Sequence, residues 1–345
     1  MLKAAFGTRK NRSLPILVLL VLLCALPALC LTAHSALATP LRVALLLESG
    51  AGDGGMATLM KKGLESAAAK ADIDARVVVC PPDADQTAIF RQAAETSDLV
   101  LLAEPRLHMI LRDNAANYRR VSFGCVDTGV RAPNIMSVTF ADEQAAFLAG
   151  AASVMLLAPG QKLGWLEDEE GPVHDNLLAA WMAGAQVQAP DMRVVRRQTG
   201  FGGSPAAALG EIAAQNAGLC AVAAGYGTEA ALRALAATSM LAAGTDGEHF
   251  SAAPERIPFS IVKRYDRAVE ELTLARARGE FKGKEILVYD LANGGVDLVL
   301  NPAYRKSRGF PKNFENRLNE LRREMAAGNI RLEDKRIRTL CDCLD

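Results

Sequence analysis

The chain has no surplus of either charge: 39 lysines and arginines stand against 39 aspartates and glutamates in 345 residues. That balance supports neither a nucleic-acid surface nor an anchor on an anionic membrane, both of which need an excess of basic residues. Histidine is scarce too. Beyond His34 only His108, His174 and His249 remain, and no two have the spacing that sets metal ligands on one helix face. A G-x-S-x-G elbow is absent, and spacing assigns no histidine as base to a nucleophilic serine. No pair of carboxylates suggests acid and base roles. The densest acidic stretch, Glu167-Asp-Glu-Glu170, reads as a solvated loop, with a docking surface as the competing reading. These absences leave no catalytic constellation, so a protein that is not an enzyme, with no metal and no cofactor, is expected.

Cysteine is present but not arranged. Cys24 and Cys30 lie in the N-terminal apolar run, and Cys80, Cys125 and Cys220 each fall in a strand-like apolar run, where a buried thiol acts as a small hydrophobe. Cys341-Asp-Cys343 is open to pairing, metal binding or neither. With no second cluster near it, a structural zinc site is rejected.

The N-terminus carries Lys3, Arg9, Lys10 and Arg12, then an apolar run from Leu14 to about Leu31, then Ala36-Leu-Ala38. This is the order of a secretory signal peptide spanning residues 1–38. An uncleaved anchor competes with it, since roughly 18 apolar residues just span a bilayer. Pro15 and Pro27 inside the run favour cleavage, and Cys30 lacks the small preceding residue that a lipid-modified cysteine needs. The expected location is the periplasm or the outer face of the cytoplasmic membrane. Removing these residues leaves 35 basic against 39 acidic side chains, a mildly acidic chain.

In the remainder, short apolar runs alternate with segments of helical periodicity. The runs are Arg42 to Leu47, Ala75 to Val79, Leu99 to Ala103, Val121 to Val126, Lys162 to Leu166, Met192 to Val195, Leu219 to Ala223 and Met240 to Ala243. Met60, Leu64, Ala67, Ala68 and Ala71 show the helical spacing. Continuous apolar strands between amphipathic helices predict α/β parallel sheets covered on both faces. A seam falls after the apolar helix Gln144 to Leu157, at Pro159-Gly160. Later come a strand Phe259 to Lys263, a helix Asp266 to Arg278 and two close strands, Glu285 to Tyr289 and Val296 to Leu300. The expected division is lobe 1 at 39–152 plus about 262–284, lobe 2 at 153–261 plus about 285–302, and a charged surface helix with its tail at 303–345.

The first strand runs into Ser49-Gly-Ala-Gly-Asp-Gly-Gly-Met-Ala-Thr58, a glycine-rich turn before a helix. Such turns bring backbone N–H groups and a positive helix end to a ligand. By letter Gly50, Gly52 and Gly55 form G-x-G-x-x-G, a dinucleotide fingerprint. That reading needs an acidic residue closing the second strand, and only Asp83, after two prolines, is available.

The order of motifs resembles the basic membrane protein family, the purine-nucleoside-receptor type of substrate-binding protein serving ATP-driven importers. The pieces are Asp53-Gly-Gly with Gly63-Leu64, Cys125-Val-Asp127, Ala132-Pro-Asn134-Ile-Met-Ser137-Val-Thr-Phe140, Glu143-Gln-Ala-Ala-Phe147-Leu-Ala-Gly150 and Thr199-Gly-Phe201. Gly244-Thr-Asp246, Ser260-Ile-Val-Lys263-Arg-Tyr-Asp266 and Asn293-Gly-Gly-Val296 complete the series. The resemblance implies the type I periplasmic-binding-protein fold: two doubly wound parallel-sheet lobes, a multi-strand hinge of three crossing segments, and a ligand between them. It further implies a monomer that closes on a small nucleoside-like molecule and docks on an ABC permease.

Asp53, Asp127, Phe201 and Asp246 each follow a strand-like run, where open α/β sheets place ligands. Aspartates suit ribose hydroxyls and Phe201 an aromatic face, while Lys263 suits a ligand oxygen or one of these aspartates. Each aspartate has a cap or turn role as its alternative, and Phe201 a core role. Gly54 belongs to the same turn. The sequence departs from the family at Met56-Ala57, where an aromatic and an asparagine are usual, and at Gly202-Gly203, where Asn-Asp is common. Met56 still offers a polarizable sulfur to a ring, and Tyr226 is a candidate replacement aromatic. The expected function is an exported solute-binding protein of an ABC importer for a nucleoside or related molecule. A ligand-sensing protein acting on a membrane receptor, with a non-nucleoside ligand, is the alternative.

Overall fold

The computed structural model describes residues 39–48, 55–81, 83–169, 171–200 and 203–332, with the Tyr226 side chain also excluded. Residues 1–38, which the sequence reading takes as a signal peptide, and Asp53, Gly54, Phe201, Cys341 and Cys343 lie outside the described residues.

The apolar runs are strands and the periodic segments are helices. The first half holds β1 (Leu41–Leu47), α1 (Met56–Ala68), β2 (Ile73–Val79), α2 (Gln86–Thr96), β3 (Leu99–Leu102), α3 (Pro105–Asn114), β4 (Ser122–Val126) and β5 (Ile135–Phe140). The second half holds α4 (Asp142–Val154), β6 (Lys162–Glu167), α5 (Pro172–Gln188), β7 (Val194–Gln198), α6 (Pro205–Ala214), β8 (Ala217–Ala223), α7 (Thr228–Ala234) and β9 (Leu241–Gly244). β10 (Phe259–Lys263), α8 (Tyr265–Ala277), β11 (Ile286–Tyr289), β12 (Val296–Leu300), α9 (Pro302–Ser307) and α10 (Phe314–Ala326) follow.

The strands form two six-stranded sheets, in the orders β11-β5-β4-β3-β1-β2 and β12-β10-β9-β8-β6-β7. All neighbours are parallel except β10 and β12. Parallel pairing requires crossover helices, which cover both faces and explain why β3 is apolar throughout and β1 from Val43 onward. Phe90, Leu107 and Leu111 close one face of the first sheet, and Leu209, Ile212 and Leu232 one face of the second. The remaining faces share a single core, which runs from Val43 and Leu64 through Phe147, Trp165 and Trp181 to Leu318.

The chain passes between the sheets three times: from β5 to α4, from β10 to α8, and from β11 to β12. The boundaries expected from the sequence need correcting at these passages. Helix α4 packs on α5, β10 and β12, so it belongs with the second sheet, not with residues 39–152 of the first lobe. Strand β11 pairs with β5 in register Ile286↔Ser137 to Tyr289↔Phe140, so this part of 285–302 belongs to the first sheet. The helix read as a charged surface element is half-buried: Phe314, Leu318, Leu321 and Met325 of α10 pack into the core against α4.

Glycine is a steric requirement at the α4–α5 crossing. A Cβ on Gly150 would stand 1.7 Å from the Trp181 carbonyl oxygen, and one on Gly184 would stand 1.8 Å from that of Phe147. Among the described residues no helix is long and apolar enough to cross a membrane.

Candidate functional site

A cleft of about 570 Å³ lies between the two sheets at the carboxyl ends of their parallel strands. The first lobe contributes Glu48 after β1, the α1 N-terminus Gly55-Met56-Ala57, Glu104 after β3 and Asp127 after β4. The second contributes Asp168 after β6, His174 in the first turn of α5, Gly225 after β8, and Asp246 and His249 after β9. Lys263 and Tyr265 enter on the β10–α8 crossing. A depression of similar volume beside α8 and β11 is lined by opposed charges such as Lys70, Arg267, Glu270 and Glu285; it lies away from the cleft.

The centre of the cleft is an ion cluster. Lys263 Nζ lies 2.7 Å from Asp127 Oδ2, 2.8 Å from Asp246 Oδ1 and 3.4 Å from Asp142 Oδ2. The Tyr265 hydroxyl donates to Asp127 Oδ2 at 2.8 Å. Nζ also sits 5.4 Å from the Tyr265 ring centroid and 5.9 Å from that of Phe140, so two aromatic faces support the ammonium. Asp127 (φ 68°), directly after β4, and Asp246 (φ 64°), two residues after β9, occupy the left-handed region. Aspartate tolerates this region better than most residues, and the turn directs each carboxylate sideways toward Lys263.

Burial opposes the charge on Lys263, but the carboxylates of Asp127, Asp246 and Asp142 outweigh it and hold the ammonium well above the ordinary lysine range. Burial also opposes ionisation of Asp246, yet Lys263 holds its carboxyl below the usual value. For Asp127, burial together with the like charges of Asp142 and Asp246 outweighs Lys263 and pushes the value up. Desolvation drives the Tyr265 hydroxyl well above its ordinary value, so it acts as a donor. A carboxylate accepts about four hydrogen bonds. Asp127 and Asp246, with side chains 20% and 32% exposed, therefore keep acceptor capacity for hydroxyl groups on a ligand.

The cleft walls rest on buried polar buttresses. Glu167, fully buried, accepts from Trp165 Nε1 at 2.8 Å and from Arg196 Nε at 2.7 Å, and Arg196 Nη2 reaches Asp175 at 2.7 Å. This corrects the reading of Glu167–Glu170 as a solvated loop. Glu167 ends an apolar strand and turns inward to a tryptophan, while Asp168 and Glu169 line the cleft. In the first lobe the buried Glu104 accepts from the Glu48 backbone N–H at 3.0 Å. His108 Nε2 bonds the Val126 carbonyl oxygen at 3.0 Å, and burial pushes its pKa down to about 4. Desolvation raises the thiols of Cys80 and Cys125 to about 11 and about 12, and that of Cys220 as well, as befits inert core cysteines.

Of the residues singled out from the sequence, Met56, Asp127, Asp246 and Lys263 meet in the cleft. Tyr226 lies in the Gly225–Gly227 turn on its wall, and Asp53, Gly54 and Phe201 fall outside the described residues. Sequence reasoning missed Asp142, Tyr265 and His249. Tyr265 stands two residues after Lys263, and Asp142 opens an apolar helix directly after a strand; both signals were legible. His249 was weighed only as a metal ligand.

A family model described as "ABC transporter substrate-binding protein PnrA-like" matches residues 41–328. The chain is 27% identical over 211 residues to the ABC transporter nucleoside-binding protein BmpA of Lactococcus lactis, covering 55% of this chain. That match spans 60% of the relative's length. Among solved structures, a solute-binding protein of an ABC transporter system from Aeropyrum pernix superposes with a TM-score of 0.75 at 20% identity. It covers 86% of this chain and 94% of its own. One from Conexibacter woesei gives 0.66 at 20% identity, covering 85% and 99%. These two likenesses bear on the fold. The family model spans both lobes and every element of the cleft, so the chain belongs to the PnrA-like family of ABC transporter substrate-binding proteins.

Proposed function

We propose that this protein is exported by the segment 1–38, binds a nucleoside or closely related hydroxyl-bearing small molecule in the cleft, and passes it to a membrane permease. The observation that carries the reading is the pair Asp127 and Asp246 held on either side of Lys263. Two carboxylates from opposite lobes, kept apart by one ammonium, suit the vicinal hydroxyls of a ribose. The BmpA relative, named a nucleoside-binding protein, supports the same class of ligand.

In this reading Asp127, Asp246 and Lys263 hold the sugar, while Met56, Phe201 and Tyr226 face the base. Asp53 and Gly54 bring the first turn to the ligand. The protein acts as a monomer, and its work is closure about the three crossings rather than covalent chemistry. Isothermal titration with adenosine, guanosine, inosine, cytidine and uridine tests the assignment. Saturable binding of at least one is expected, and the Asp246→Asn variant weakens it about tenfold, the order of one charge-assisted hydrogen bond. If none of the five binds, the nucleoside assignment is lost.

A further inference from the structure

His249 is 6% exposed and lines the cleft, yet its two nitrogens are in opposite situations. Nε2 lies 2.9 Å from the Thr245 carbonyl oxygen. A carbonyl oxygen only accepts, so Nε2 carries the proton and Nδ1 is left with its lone pair. Burial holds the ring neutral by lowering its pKa. Among the described residues, Nδ1 is one of two buried side-chain polar atoms without a hydrogen-bond partner; the other is on Gln188, at the end of α5. Burying an acceptor unpaired is costly, so an atom of this kind lining a ligand cleft calls for a partner.

The ring sits at the seam between the lobes. A Cβ on Gly55 would stand 3.2 Å from His249 Cε1, closer than side chains ordinarily approach. Gly55 has φ −90°, which any residue adopts, so a side chain there would crowd the imidazole rather than strain the turn. On the same side, α1 begins at Met56 with no side-chain cap.

We infer that His249 is a specificity-determining residue of the cleft, an acceptor that selects a ligand carrying a neutral hydrogen-bond donor, O–H or N–H, at the Gly55 seam. The inference rests on the binding role proposed above and deepens it. An Nδ1 lone pair met by the ligand favours a hydroxyl, a ring N–H or an amino group, and disfavours a phosphate or carboxylate, which brings only more lone pairs.

Three proteins are compared: the wild type, His249→Phe, which keeps a flat ring without nitrogens, and His249→Asn, whose Oδ1 falls near the place of Nδ1. Each is titrated with the same five nucleosides and D-ribose, and unliganded melting curves verify folding. The Phe variant is expected to lose about tenfold or more in affinity for whichever probes the wild type binds, and the Asn variant no more than about threefold. A Phe variant that binds like the wild type overturns the inference, as does an Asn variant that loses as much as the Phe variant. The tautomer is read separately by ¹⁵N NMR of histidine-labelled wild type without ligand. A bare Nδ1 with protonated Nε2 supports the assignment, and a protonated Nδ1 overturns it. If none of the probes binds, the nucleoside reading falls, and the NMR result alone decides on His249.

Discussion

At the residue scale, the cleft depends on one ammonium standing among three carboxylates. Replacing Lys263 by Met leaves Asp127, Asp142 and Asp246 facing each other without a counter-ion. Removing one partner from a buried ion cluster typically costs about 3–5 kcal/mol. In the variant the carboxyls take proton-binding affinities above their unfolded values. Their cost is then absent below the unfolded pKa and grows as pH rises through the folded one. Lys263→Met is therefore expected to melt well below the wild type at pH 7 and to recover much of the difference by pH 5; an equal deficit at both values removes the electrostatic account. His108 gives the opposite slope. Its pKa is depressed to about 4 from 6.5, so the unfolded chain takes up the proton first as pH falls. The stability it carries is complete above 6.5 and lost on the way down to about 4, a difference of about 3 kcal/mol. A His108→Gln variant should show a flatter fall in melting temperature across that window. The sequence shows Asp127, Asp246 and Lys263 as strand-end residues, because strand ends are visible as the stop of an apolar run. It does not show their mutual contacts or the unpaired Nδ1 of His249, since these arise where the two lobes meet.

At the element scale, apolar runs and helical periodicity specify nearly all strands and helices, because parallel strands buried on both faces have no other pattern available. Two features resist this reading. In α10 the apolar face is Phe314, Leu318, Leu321 and Met325, a regular i, i+4, i+7, i+11 stripe hidden among charged neighbours; charge density there describes the solvent face only. For β11, local sequence marks a strand but carries no information about which sheet edge a segment beyond a crossing will join. The α4–α5 crossing was legible in part, through Gly150 in the quoted motif; its partner Gly184 was not. Gly150→Ala and Gly184→Ala push a methyl into a backbone carbonyl, so each is expected to cost about 3 kcal/mol or more, beyond ordinary overpacking. Gly210→Ala in α6 is the control. No neighbour lies within 4 Å of its Cβ position, and alanine in a helix interior gains up to about 1 kcal/mol over glycine. Urea denaturation of the three variants checks the contrast, and a Gly210→Ala protein weakened as much as the other two would refute the steric argument.

At the scale of the whole molecule, the ion cluster and the passages between lobes are the same place. Asp142 follows the first crossing, Lys263 and Tyr265 flank the second, and Asp127 and Asp246 stand at strand ends on opposite sheets. A ligand held by Asp127 and Asp246 therefore spans the seam between the lobes. Its binding energy is spent partly on the open-to-closed equilibrium, which it can shift only by its differential affinity for the two states. Two measurements follow from one cause. At a ligand concentration 100 times the dissociation constant, stability rises by about 2.7 kcal/mol, enough to raise the melting temperature by several degrees. Closure should also reduce the radius of gyration in small-angle scattering at the same saturation. A ligand that gives the thermal shift but leaves the radius unchanged would mean binding without lobe movement. In that case the crossings are rigid struts, and the seam contact between Gly55 and His249 exists in both states.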